Sequence, residues 1–355
     1  MDTGANPDPE STGALYFPAP GRGLAPQAQR TPDQVGLDPA VLRQIGHFLD
    51  AHRDEWTTTA QRWALWRYGY LVHVEGDFDN IERNFDEVVP IASLRKTWHA
   101  LTVGAAIQQR RIPSYHQKIS AWQTELAGLH AEATWRDVLT QSAGFDYPHG
   151  DHPAYAPGEM WTYSDWNLHH LCHALAKVYG KRDFFDGYDD VLAQAYLDAI
   201  GAQGWSSYAH YDPISQMYDG AWIRASLEHM GRIGLLILAR GTWDGAALIP
   251  GWFVDELETK QTYGMRVNYD GPYDGQVDLD PGQFPEAPYG YLTWVNTDGD
   301  FFPGADTAWA WGSGAGGTKT MWNRHTGIVF AAIGARIEPS AQSVPHLIEA
   351  AVVNT

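Results

Sequence analysis

The stretch Pro90–Leu101, P-I-A-S-L-R-K-T-W-H-A-L, decides how this chain is read. From Ser93 to about Gln109 the composition is helical, with Leu94, Trp98, Leu101, Ala105 and Gln108 near one face or its edge. Residues three apart on a helix stack on one face, so Lys96 can bring its amine to the hydroxyl of Ser93. A serine at a helix start also has free backbone N–H groups and the positive end of the dipole beside it, which suits an anionic transition state. Alone, this spacing is also that of an ordinary helix start.

Two later segments change its weight. Tyr163-Ser164-Asp165 lies in P-G-E-M-W-T-Y-S-D-W-N-L, and a tyrosine beside a Ser–Lys pair can carry protons between nucleophile and leaving group. The plain alternative is a loop tyrosine, one of 18 in the chain. The other segment is Trp311–Thr320, W-G-S-G-A-G-G-T-K-T. A glycine-rich strand edge lets a substrate carbonyl lie against backbone, so an N–H there can complete an oxyanion hole with the N–H of Ser93. Its plain alternative is a flexible turn.

The order of these segments resembles the serine β-lactamase and penicillin-binding-protein superfamily, in particular its class C-like esterase and amide-hydrolase branch. The resemblance runs from about residue 38 to the end. It includes Thr134–Phe145, T-W-R-D-V-L-T-Q-S-A-G-F, and Ala156–Asp165, A-P-G-E-M-W-T-Y-S-D. It also includes the run from Ile223 to Gly245 followed by L-I-P-G-W-F-V, similar to the family's long helix after its insertion. The resemblance implies an α/β (α+β) fold, with an antiparallel sheet from both chain ends, flanking helices and a helical insertion. It implies Ser93 as the acyl-accepting nucleophile, Lys96 as general base and Tyr163 as proton relay. Asp165 stands where the family usually has Asn. Ser313 and Gly314 keep the last two positions of the family's Lys-Thr-Gly, and the N–H of Ala315 becomes the second oxyanion donor. The basic residue of that motif is replaced by Gly312. Since it usually faces a substrate carboxylate, its loss favours a neutral ester or amide. A β-lactamase or D-amino-acid peptidase of the same superfamily, or an inactive binding relative, remains the alternative.

The chemistry makes a demand on Lys96. An unperturbed lysine, with pKa about 10.4, is neutral only about one part in a thousand near neutral pH. Burial and positive neighbours must lower that value for it to act as base. No carboxylate in S-L-R-K holds the amine charged, and Arg95 is expected to point to a different face.

Around these motifs the chain organises simply. Residues 1–36 read as an irregular arm, 37–130 with 221–355 as the α/β domain, and 131–220 as a mainly helical and loop insertion. Expected helices run from Asp38 to about His52, Trp135–Gln141, Trp166–Val178, Trp222–Ala239 and Ala341–Val352. A hairpin turns near Tyr68-Gly69, and strands at Thr318–Asn323 and Ile328–Ile333 are joined by R-H-T-G.

Bulk properties exclude several classes. With 24 Lys plus Arg against 43 Asp plus Glu, the formal charge is -19, which repels nucleic acid and anionic membrane. Cys172 is the single cysteine, so no internal disulfide or thiolate metal cluster can form. The acidic, proline-rich start lacks the features of a signal peptide, which makes a cytoplasmic location the expectation. The expected partner is a small-molecule ester or amide, without cofactor or metal; the oligomeric state is not legible.

Gly312–Gly317 fits G-x-G-x-x-G, but the adjoining Thr318–Phe330 reads as strand, turn and strand rather than helix. His169, His170 and His173 share a helix without an H-E-x-x-H pattern, so packing is the simpler reading. His149, Asp151 and His152 read as a polar loop near the pocket rim. Trp166, Trp309 and Trp311 flank the motifs and are candidates for an apolar acyl pocket as well as for core.

Overall fold

The computed structural model describes residues 15–53, 59–145, 155–212, 217–268, 284–337 and 343–353. Helix α1 (Pro39–Ala51) starts where the Asp38 carboxylate accepts from the Ala40 N–H, and it buries Leu42, Ile45 and Leu49 on one face. Strands β1 (Arg62–Arg67) and β2 (Tyr70–Gly76) form the expected hairpin. Its two turn residues, Tyr68 and Gly69, both have positive φ, which matches the twist of the flanking strands.

Helix α2 (Arg95–Gln108) follows, then α3 (Asp165–Val178). Next come β3 (Ser206–Asp212), β4 (Met217–Ala225) and α4 (Leu227–Leu238). The chain closes with β5 (Trp294–Val295), β6 (Trp309–Gly314), β7 (Thr318–Asn323), β8 (Ile328–Ile333) and α5 (Val344–Ala351). The main sheet has the order β5-β6-β7-β8-β1-β2 and is antiparallel throughout. It is therefore built from both chain ends, joined where β1 pairs with β8 from Arg62↔Ile333 to Arg67↔Ile328.

Helix α4 covers one face of this sheet through two glycines. A Cβ on Gly231 would lie 2.4 Å from Trp66, and one on Gly234 would lie 2.3 Å from Val329. On the other face Trp309 of β6 donates to Glu349 of α5 at 2.6 Å, and α5 packs on α1.

The expected helix Trp222–Ala239 is corrected at its start. Ala221, Ile223 and Ala225 are buried while Trp222 and Arg224 are more exposed, a period of two, so these residues extend β4. The helix begins only at Leu227, where Ser226 and His229 form a capping box. The helix at Trp135 is also shorter, ending at Leu139 before Gln141 takes positive φ. Among the described residues no helix is long and apolar enough to cross a membrane.

Candidate active site

Val89–Pro90 pairs with Arg224–Ala225 of β4, and the Ile91 N–H donates to Ile223 at 3.0 Å. The chain then breaks direction at Ala92, whose φ of 46° is left-handed and costs an alanine of order 1 kcal/mol. The 3₁₀ turn Ala92–Leu94 leaves Ser93 half-buried between buried Ile91 and Leu94. Residues Arg95 to Ala106 of α2 are all buried, so the nucleophile candidate stands on a post packed on every side.

Lys96, 1% exposed, donates from Nζ to Ser93 Oγ at 3.0 Å. The same Nζ lies 2.5 Å from Asp165 Oδ1 and 4.4 Å from the centre of the Tyr163 ring. Asp165 opens α3, where Ser164 caps the Trp166 N–H. Gln141 Oε1 fixes this start by accepting from the Ser164 N–H at 3.0 Å and from Asn167 Nδ2 at 2.9 Å. Tyr163 stacks on Trp294 at 6.0 Å between ring centres.

Two expectations about the lysine need correction. Arg95 does not point away from the site: its Nη2 lies 3.4 Å from Asp165 Oδ1 and 3.3 Å from Asp219 Oδ2. A carboxylate does hold the amine, but it comes from a segment 69 residues downstream. The result is a buried chain of alternating charge, Lys96–Asp165–Arg95–Asp219. At its far end Asp219 Oδ1 accepts from Trp222 Nε1 at 2.8 Å and lies 3.2 Å from His210 Nδ1. Burial raises the Asp219 carboxyl above its usual range against the opposite pull of Arg95. Burial also pushes His99, next to Arg95 and Lys96, down to about 3, so this imidazole is neutral.

Strand β6 approaches the turn from the sheet side. A Cβ on Gly314 would lie 2.3 Å from the Ile91 carbonyl and 2.8 Å from the Leu94 nitrogen, so only glycine lets the strand rest on the Ser93 turn. A Cβ on Gly312 would meet Leu94 Cδ1 at 2.4 Å and Thr97 Oγ1 at 2.8 Å. That volume is filled by α2, which explains why no basic side chain stands there. Ser313 points to the opposite face, and exposed Ala315 follows at the strand's end.

On that opposite face stands a cation. Lys319, cross-strand partner of Ser313, donates from Nζ to Ser313 Oγ. Sequence reasoning misses this residue because nothing in linear spacing links it to the site; only the β6–β7 register does.

The remaining candidates separate. Trp309 and Trp311 are buried on the face away from Ser93, where Trp309 is tied to Glu349, so they are core. Trp166 stacks on His169. The aromatic neighbours of Tyr163 are instead Trp161, Tyr289 and Trp294. His169 Nδ1 lies 2.6 Å from the Tyr218 carbonyl, His170 Nδ1 lies 3.1 Å from Gln123 Oε1, and His173 packs on Phe184. Burial lowers all three, and among the described residues no group of three or more His, Cys, Asp or Glu is arranged to hold a metal. His149, Asp151 and His152 lie outside the described residues. Gly316 and Gly317 form a left-handed turn into β7, so the G-x-G-x-x-G match opens no helix.

A comparison with curated protein sequences finds no match. Among solved structures, a putative beta-lactamase from Bacteroides dorei DSM 17855 is similar with TM-score 0.65 at 15% identity, over 88% of this chain and 97% of that one. A putative 6-aminohexanoate-dimer hydrolase from Bacillus anthracis gives 0.61 at 15%, over 92% and 84%. A D-stereospecific amidohydrolase from Streptomyces sp. gives 0.59 at 15%, over 90% and 99%. At such identities the likeness speaks for the fold. The sequence profile of one family, Beta-lactamase, matches residues 57–352, nearly all of the chain outside the N-terminal arm and α1, and the chain therefore belongs to this family of hydrolases.

Proposed function

We propose that the chain is a serine hydrolase that cleaves a carboxylic ester or amide of a small molecule through an acyl-serine intermediate. Ser93 Oγ attacks the substrate carbonyl while Lys96 takes its proton. Tyr163 relays that proton to the leaving group, and the N–H groups of Ser93 and Ala315 hold the oxyanion. Water then releases the acyl group by the reverse sequence. The observation that carries this reading is the hydrogen bond from Lys96 Nζ to Ser93 Oγ at 3.0 Å. Two of the structural neighbours bear names of hydrolases, one of them an amidohydrolase, which agrees with the reading.

The test is intact-mass analysis after exposure to a panel of activated esters, amides and a penicillin. An acyl increment on Ser93 that disappears in Ser93→Ala is expected. An increment on another residue, or turnover undiminished in Ser93→Ala, refutes the reading.

A further inference from the structure

We infer that Asp165 keeps Lys96 in its ammonium form in the resting site, so that it sets the pH at which Ser93 becomes reactive. The inference rests on the general-base reading of Lys96 and adds to it a positioning residue that acts through the lysine.

The geometry supplies the reason. Lys96 Nζ and Asp165 Oδ1 are 2.5 Å apart, and their side chains are 2% and 10% exposed, so solvent and salt screen their attraction little. Asp165 itself meets positive charge on three sides. Lys96 faces it, Arg95 lies 3.4 Å away, and its place in the first turn of α3 sets it at the positive end of a helix.

The charges around Lys96 also balance. From α2 come Lys96 and Arg95, with His99 neutral through burial. Asp165 comes from α3 and Asp219 from β4, and half-exposed His210 of β3 touches Asp219. Tyr163 contributes its ring, and the buried phenol of Tyr289 stays protonated because burial raises it well above its usual range. Among the described residues, two cations thus meet two carboxylates. An asparagine at 165 would leave two buried cations facing one carboxylate already committed to Arg95. The ammonium would then be the uncompensated charge, and burial would favour the neutral amine.

In the native site the ammonium must first lose a proton to solvent. The free amine then accepts the Ser93 proton as Ser93 Oγ bonds to the substrate carbonyl carbon. Only the first of these steps depends on Asp165, which separates its effect from the chemistry of acylation.

The experiment is the rate of Ser93 labelling by a fluorophosphonate, followed by intact mass from about pH 5 to 10, for the native chain and Asp165→Asn, with circular dichroism for folding. Labelling of the native chain should rise with pH through neutrality. Asp165→Asn should level off at least one unit lower and label about tenfold faster at pH 7. A native profile already flat at pH 7, or an Asp165→Asn profile unmoved or shifted to higher pH, overturns the inference. The native profile, if flat at pH 7, overturns the inference even where the variant does not fold. Lys96→Ala separates the two claims. If it labels like the native chain, the general-base reading fails. If it is inert while Asp165→Asn leaves the profile unmoved, only the role of Asp165 fails.

Discussion

Ser93 sits between two regions built on opposite plans. On the helical side, Lys96, Asp165, Arg95 and Asp219 form a buried chain of paired charges. On the sheet side, β6 offers almost no side chains: Gly312 and Gly314 let backbone lie on the turn. Under the proposed function the first region sets where protons are and the second where a carbonyl can rest. A substitution on the helical side should therefore change rate and pH dependence. One on the sheet side should change fit.

The largest effect should come from the helical side. Lys96→Ala is expected to slow Ser93 acylation about 10²–10⁴-fold. Lys96→Arg should be nearly as poor, because a guanidinium cannot accept the proton. Labelling rates at the native pH optimum, with circular dichroism as control, measure both. Tyr163→Phe keeps the ring on Trp294 but removes the hydroxyl, and should slow turnover by a comparable factor in steady-state assays of an ester.

The sheet side gives smaller, geometric effects. Gly314→Ala drives a methyl toward the Ile91 carbonyl, 2.3 Å away, and must displace the Ser93 turn. Misplacement of that kind costs about 10²-fold in kcat with the fold retained. Lys319→Ala, on the opposite face of the sheet, should leave kcat/KM nearly unchanged for a neutral and a carboxylate-bearing ester alike. A loss confined to the carboxylate-bearing ester would bring its ammonium to the substrate, and the contrast between the two regions would weaken.

The smallest effect concerns stability on the helical side. Burial pushes His173 of α3 down to about 4, so the folded chain holds this ring neutral where the unfolded chain charges it. Its contribution is present above the ordinary histidine value of about 6.5 and is lost as pH falls from there toward 4. Since the ring is partly solvated, about 1 kcal/mol is expected. His173→Phe should flatten the fall in thermal midpoint over that window.

What the sequence discloses divides along the same line. The hairpin at Tyr68-Gly69, the strands β7 and β8, and the Ser93–Lys96 pair are local patterns, written in alternation or in a spacing of three, and they lie where read. The pairing of Lys96 with Asp165 joins positions 69 residues apart, and the contact of Lys319 with Ser313 depends on register across a turn. Neither leaves a periodic trace. Trp309 and Trp311 fail as pocket walls because one strand shows its residues to alternate faces: the face toward Ser93 belongs to Gly312 and Gly314. The start of α4 is misread because Trp222–Ala225 is too short an apolar run for composition to separate strand from helix.

The closure of the sheet between β1 and β8 bears on how the protein comes into being. Partners such as Arg62 and Ile333 lie far apart along the chain, so much of the native contact map is non-local and folding should be slow for that reason. During synthesis the Ser–Lys pair leaves the ribosome well before β6 exists to lie against it. A nascent chain thus carries the Ser93–Lys96 pair without the strand edge that lies against it, and under the proposed function its reactivity arrives only with the last strands. Reactivity toward a fluorophosphonate, measured on chains stalled at increasing length, should appear as a single late step rather than a gradual rise.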